Sequence, residues 1–445
     1  MKKTVVAAAA ALALFLSAVE AQEQKEVVAL TVDQAVEYAK ENSRSLKSAQ
    51  IDLEMKERAS KYSWNVFLPT VQASATAART TDIDATLKQY GISPSKEKYH
   101  WAIVGNVSAS LNLSLAYIGQ IRAAKADYEG GKITWDQSQK QTLMNVKKLF
   151  YGLLLQQESL AVKKATLENA RQRAAQAEAN YRNGLIPELR LLNAQVTYEN
   201  QKPEIENAEQ ALNQQLDSFA FLLGFPVGTK LQLQGSIEPQ YIKVDSDELL
   251  QKYSEGNLGL LALKSQISVL KCKLSALDFK SYTPALSLNY NYQPTKTFFI
   301  EDSKWADQGK LSITLAWTLT DMLPFSATRQ QAKDIKDNLA KLELKLETAQ
   351  GEQTLQVKKA VDTLNQAREQ IESMGRNITL AQRAYESSAR SYRNGATELL
   401  DLRDSESQLN QAKLGQLNQK LNYINALMDL EYALNTDLSE YKVQP

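Results

Sequence analysis

The sequence predicts a mainly helical chain in two similar halves, each joining a pair of amphipathic β-strands to a long helical hairpin. Three observations carry that prediction. Tyr-Arg-Asn-Gly occurs at 181–184 and again at 392–395, an offset of 211 (392 less 181). Asp33, Tyr38, Asn42, Leu46 and Pro69 recur as Glu248, Tyr253, Asn257, Leu261 and Pro284 at an offset of 215 (248 less 33), so the halves differ only by small insertions. Long stretches with three-four apolar spacing alternate with segments of two-residue alternation, the signatures of helix and of half-buried strand.

In chain order, Met1 to Ala21 reads as a secretory signal peptide. Lys2 and Lys3 give the positive start, Val5 to Val19 the apolar run, and Val19-Glu20-Ala21 the small residues at the cleavage positions. The run is short of the roughly 18–20 apolar residues that span a bilayer as a helix. No Cys follows it closely, so no lipid anchor is expected. Residues 22–445 are expected to form one unit of two structural repeats, about 30–235 and 245–440. Thr31 with Gln34 is a capping-box signal. It starts a helical stretch that runs to about Val66, breaks near Asn42 and ends before Pro69. Residues 70–80 are a weak strand, and 81–100, with Gly91 and Pro94, read as a loop.

Residues 103–115 are a clear strand. Ile103, Gly105, Val107, Ala109, Leu111, Leu113 and Leu115 share one face, and Asn106, Ser108, Ser110, Asn112 and Ser114 the other. The second half repeats the pattern twice. Leu286, Leu288, Tyr290 and Tyr292 alternate with Ser287, Asn289 and Asn291; Leu311, Ile313, Leu315, Trp317 and Leu319 alternate with Ser312, Thr314 and Thr318. The strand pairs therefore span about 69–118 and 284–320. Apolar and small polar residues alternating over about ten positions match a transmembrane β-barrel strand. The same alternation fits a half-buried strand of a soluble sheet. The export signal favours the barrel, as do Tyr99, Trp101, Tyr117, Phe298, Phe299 and Trp305 at the strand ends, where aromatic rings suit the bilayer interface.

From Ile121 to about Arg182 there is no proline, and only Gly130, Gly131 and Gly152 interrupt. A continuous helix there is roughly 90 Å long at 1.5 Å per residue. Leu143, Val146, Phe150, Leu153 and Leu160 keep a three-four seam, as do Ile335, Leu339, Leu342, Leu346 and Ala349. Ile205, Ala208, Leu212, Phe219 and Leu222, and Leu417, Leu421, Ile424 and Met428, form the matching seams of the return helices. These are coiled-coil seams rather than cofactor boxes. The hairpins span about 121–223 and 326–434. Each reverses at its Asn-Gly, which suits the left-handed backbone that ends a helix.

The composition excludes several classes of function. Less Lys2, Lys3 and Glu20, the 52 basic and 51 acidic residues balance, which speaks against a nucleic-acid partner. Cys272 is the only cysteine, so no intrachain disulfide forms. His100 is the only histidine, which leaves no catalytic His triad and no His-rich metal site. No GxGxxG, P-loop or CxxC is present. No enzyme activity, cofactor or metal is expected.

An export signal, a strand pair and a long helical hairpin, then strands and hairpin again, resemble the TolC family of outer-membrane efflux channels. The resemblance covers essentially the whole mature chain. It rests on the duplication, on Leu68-Pro69 and Thr283-Pro284 opening the first strand of each half, and on the paired tips Gly184-Leu185 and Gly395-Ala396. It implies a homotrimer whose shared twelve-stranded β-barrel continues as an α-helical barrel across the periplasm. A small mixed belt would be built from residues 225–245, the helices that follow and the chain ends. Four strands cannot close a barrel, and an edge open to lipid would leave backbone groups without partners. The implied function is a passive exit duct for small molecules or drugs. The tips Asn183, Gly184, Leu185, Asn394, Gly395 and Ala396 would dock onto a periplasmic adaptor, beneath which an inner-membrane RND or ABC pump supplies the energy. The alternatives are type I protein secretion by the same architecture, a periplasmic coiled-coil protein that spans no membrane, and a cell-wall hydrolase with coiled-coil arms.

By the same resemblance, Asp401 and Asp404 form acidic rings at a closed periplasmic mouth. They lie six and nine residues past Gly395, one helical turn apart and on one face. Threefold symmetry would set six carboxylates around the opening, attracting cations and repelling anions. The pair also fits a plain solvated helix face. The chain departs from the family pattern nearby. An acid common six residues after the first tip glycine is Arg190 here, and a basic residue two after the second is Thr397, whereas Tyr392 is retained. Charge complementarity suggests that Arg190 pairs with Asp401 or Asp404.

Overall fold

The computed structural model describes residues 27–79, 89–91, 101–297, 304–394 and 396–443. The expected signal segment, most of the 81–100 loop with His100 and Tyr99, the aromatics Phe298 and Phe299, and the tip residue Gly395 lie outside the described residues. The elements, in order, are β1 (Val28–Leu30), α1 (Val32–Asn42), α2 (Arg44–Lys61), β2 (Thr70–Arg79), β3 (Trp101–Leu113), α3 (Ala116–Arg182), α4 (Glu188–Leu223), β4 (Leu231–Leu233), α5 (Ser246–Tyr253), α6 (Leu258–Tyr282), β5 (Ala285–Tyr292), β6 (Thr295–Thr297), β7 (Gly309–Ala316), α7 (Ala327–Arg393) and α8 (Leu399–Leu434). The duplication appears in the lengths: α3 and α7 each run 67 residues, α4 and α8 each 36. The Thr31 capping box opens α1, with Thr31 N donating to Gln34 Oε1 at 2.9 Å. The chain divides into two compact units, one of residues 1–50, 136–257 and 351–445, the other of 51–135 and 258–350.

The second unit holds an antiparallel sheet in the order β2-β3-β5-β7. Its register aligns the two chemistries across the strands. Val71, Ala109, Tyr290 and Leu311 form one row, and Leu111, Leu288 and Ile313 another on the same face. Thr70, Ser110, Asn289 and Ser312 face the other way, as do Asn112, Ser287 and Thr314, and Ser287 Oγ lies 2.6 Å from Asn112 Oδ1. A slip of one residue would move every apolar side chain to the polar face, so the alternation itself specifies the pairing. Leu311, Ile313 and Leu315 are 68%, 66% and 70% exposed in the single chain, so their face is apolar and bare.

Two details differ from the sequence reading. Strands β3 and β7 end at Leu113 and Ala316, so Leu115 and Leu319 lie beyond them, and α3 begins at Ala116 rather than Ile121. The third strand is broken into β5 and β6 at Gln293-Pro294, and β6 continues along β3. Proline has no N–H for the ladder. The register survives because Gly105 N donates to Pro294 O at 2.8 Å. Gly105 is required there: a Cβ would lie 2.9 Å from Pro294 Cγ.

The first unit carries α4, α8, the parts of α3 from 136 and of α7 from 351 onward, and a mixed core. The parallel pair β1–β4 covers Phe150, Leu154, Phe219 and Leu223, and Tyr38 stacks on Phe225 at 3.9 Å. A second cluster gathers Leu249, Val357, Leu364, Tyr423, Leu430, Leu434 and Leu438. Ile242 N donates to the buried Tyr423 hydroxyl at 2.9 Å, and Ile242 bridges to Lys442 near the chain end. The return helices α4 and α8 close alike. Gly224 has φ 100° and Asn435 φ 55°, with Phe225 N donating to Ala220 O at 3.0 Å and Thr436 N to Glu431 O at 3.1 Å.

Gly224→Ala should therefore destabilise the first unit. The new Cβ would lie 2.5 Å from Asn42 O on a left-handed backbone. Strain of this kind costs about 1–3 kcal/mol. The expected result is a lower melting temperature by helical circular dichroism, with Asn435→Gly close to wild type.

Candidate functional site

The candidate site is the pair of hairpin ends. At the first, α3 ends on Arg182, Gly184 takes φ 71°, and two bonds close the turn: Gly184 N to Tyr181 O at 2.9 Å and Leu185 N to Asn180 O at 2.8 Å. This is the Schellman arrangement, which uses carbonyls that the helix end would otherwise strand. At the second, Ala396 N donates to Ser391 O at 2.9 Å, the counterpart of the Leu185 bond. Leu185 and Leu189 are 71% and 67% exposed, so the first tip presents apolar surface to solvent.

The return helices start without side-chain caps, α4 after Pro187 and α8 after Glu398. Along the first turns of α8, Asp401, Arg403 and Asp404 are exposed while Leu402, Ser405 and Glu406 are buried. Leu399 packs against Ala177, Leu191 and Ala194, which seats α8 on the first hairpin and turns the two aspartates outward. Arg190 is exposed on the first turn of α4. Among the described residues no ion pair joins it to Asp401 or Asp404, so the expected pairing does not form within one chain. Tyr392 is half-buried. Thr397 is half-buried too, and its Oγ1 has no hydrogen-bond partner among the described residues.

The most distinctive chemistry lies two residues past Asp404, at a side chain the sequence reading did not single out. Glu406, 4% exposed, points from α8 into the seam with α3. Its Oε1 accepts from Asn169 Nδ2 at 2.7 Å. Arg173 Nη1 lies 2.8 Å from Oε2, close enough for an ion pair but off the line of a hydrogen bond, so Oε2 keeps an unfilled acceptor. Asn410 Nδ2 then donates to Thr166 Oγ1 at 3.0 Å, and farther along Lys148 meets Asp429. A signal for Glu406 was present: Leu402, Glu406, Leu409 and Ala412 keep three-four spacing, with a carboxylate at one seam position. A charge there must be paired to be buried.

The sequence profile described as Outer membrane efflux protein matches residues 35–225 and 279–436. No curated protein matches the chain. Among solved structures, the outer-membrane channel CmeC of Campylobacter jejuni is 16% identical with a TM-score of 0.73, over 91% of this chain and 85% of that one. The outer membrane protein VceC of Vibrio cholerae is 14% identical, TM-score 0.70, over 92% and 97%. The open state of the outer-membrane channel MtrE of Neisseria gonorrhoeae is 17% identical, TM-score 0.70, over 93% and 91%. At these identities the likeness is one of fold.

Arg173→Met should leave the Glu406 carboxylate buried without a cation. Breaking a buried pair on one side costs about 3–5 kcal/mol. Arg173→Met combined with Glu406→Gln should recover much of that loss, because the amide oxygen still accepts from Asn169. A double-mutant cycle on thermal or denaturant unfolding checks both values.

Proposed function

The chain belongs to the outer membrane efflux protein family, and from that premise we propose how its strands and exposed hairpin ends serve an outer-membrane exit channel. The observation that carries the reading is the sheet. One face is apolar and bare, the other small and polar, and β2 and β7 stand at its two edges. Lipid suits the first face and a water-filled lumen the second. In hydrocarbon the edges must find strands on other copies, because an unpaired ladder cannot be solvated there. Three copies make a twelve-stranded wall.

Asp401 and Asp404 serve as acidic rings at the periplasmic mouth of that trimer. Both are exposed on one face of α8, and the packing of Leu399 holds that face away from the first hairpin. Six carboxylates around one opening would draw cations and hold multivalent ones. Arg190, unpaired with these aspartates within the chain, would meet them across a copy boundary. The tips, Asn183 to Leu185 and Asn394 to Ala396, dock a periplasmic adaptor that couples the duct to an inner-membrane pump of the RND or ABC type. The pump selects the cargo, and the duct passes it.

Purified full-length protein in a planar bilayer should give cation-selective channels partly blocked by divalent or trivalent cations. Asp401→Asn with Asp404→Asn should weaken the selectivity and relieve the block while assembly persists, since neither side chain is buried. An unchanged reversal potential in a salt gradient would place the two carboxylates away from the pore.

Leu185→Glu keeps the Gly184 turn but replaces exposed apolar surface at the tip. Co-purification with the adaptor should fall sharply while membrane insertion is kept, and an undiminished yield of complex would move the docking surface elsewhere.

A further inference from the structure

We propose that Lys310, repeated on each copy, forms a basic ring inside the barrel that attracts polyvalent anions. The inference rests on the barrel reading above and concerns what its inner wall recognises. Strands β2, β3, β5, β6 and β7 carry three ionised side chains, Arg79, Lys296 and Lys310, and no carboxylate. The register divides the three. Arg79 stands opposite Trp101 and Lys296 opposite Ile103, on the face of Val71 and Ala109. Lys310 stands opposite Asn291, in a row that continues through Ser108 to Gln72 on the other face.

Among the described strand residues that polar face is otherwise neutral. The rows on either side of Lys310 supply only Ser, Thr, Asn, Ala and Val. Lys310 is exposed, and none of these strands offers it an acid. A charge without a partner is costly to bury, whereas in a water-filled lumen it stays hydrated. Lys310 also lies on β7, an edge strand of the single chain, where an inward-pointing charge guards against wrong pairing before assembly. That role ends once the edge is paired. The charge remains on the wall of the finished barrel.

Rings of basic side chains select anions in pores. The sign is opposite to that of Asp401 and Asp404, so the duct carries two charged elements that favour different ions. Distance decides how far the lysines act. Twelve strands about 4.8 Å apart and tilted about 40° make a wall roughly 24 Å across, with its axis about 12 Å from the backbone. The Debye length is about 10 Å at ~0.1 M salt and about 3 Å at ~1 M. Three ammonium groups therefore act across the lumen in dilute salt and not in concentrated salt. Set around one circle, they favour an anion of several charges over chloride.

The test records single channels of the full-length protein in planar bilayers with inorganic triphosphate in both chambers. Below ~0.1 M salt the wild type should be blocked reversibly, and the block should vanish near ~1 M. Lys310→Gln should weaken it about tenfold or more, and Lys310→Arg should keep it. Lys310→Cys in a Cys272→Ser background should lack the block once assembled. Treating that same channel with aminoethyl methanethiosulfonate puts an ammonium back on the side chain and should restore it. Conducting channels with no triphosphate block in the wild type, with equal block in Lys310→Gln, or with no recovery after the thiol reagent would overturn the ring and leave the barrel standing. A wild-type protein that inserts without conducting would overturn the barrel reading itself, and the ring with it.

Discussion

A sheet edge facing hydrocarbon cannot stay open, and most of this molecule follows from that constraint. Backbone N–H and C=O groups at an edge find no water in the bilayer. The sheet runs in the order β2-β3-β5-β7, and among the described residues no further strand pairs the outer two. Closure of such edges requires further strands to pair with them. The duplication serves the same end, since each half supplies one strand pair and one hairpin of matched length. Small departures are tolerated if the ladder holds, as at Pro294, where the proline breaks the strand but Gly105 makes room and keeps the register.

The hairpins obey a second rule, the need to end long helices without stranded carbonyls. All four long helices close with the same reach-back bond, made by Leu185, Phe225, Ala396 and Thr436. The left-handed residue differs. Gly184 and Gly224 take it freely, whereas Asn435 takes φ 55° with a side chain attached. Asparagine tolerates that region better than most residues. At Gly224 the alternative is closed, because the Asn42 carbonyl occupies the space a side chain would need.

Packing between the hairpins brings in charge. Apolar seams hold α3, α4, α7 and α8 over much of their length, but toward the tips the α3–α8 contact becomes polar and buries Glu406. A buried ion pair adds little net stability compared with well-packed apolar residues. Its effect is to make the alignment of α8 on α3 specific, since only one register places Asn169 and Arg173 on the carboxylate. The aspartates on the exposed face of the same helix turns inherit that alignment. Their orientation is a consequence of Leu399, Leu402 and Glu406 facing inward.

Much of this was legible in the sequence because it is local. Strand alternation, three-four seams, the Thr31 cap and the Asn-Gly reversals depend on residues a few positions apart, and the duplication needs only comparison of one half with the other. The placement of Asp401 and Asp404 on one helix face follows from 3.6 residues per turn. What the sequence could not supply depends on neighbours hundreds of positions away. It did not say that α8 lies against α3, so the carboxylate at the Glu406 seam position was not singled out, and it could not say whether Arg190 reaches the aspartates within one chain. Complementary charge does not reveal distance. Only the tertiary structure decided which helices adjoin, because that choice is made by the fit of whole faces, in which a single carboxylate is buried or bare according to what stands opposite.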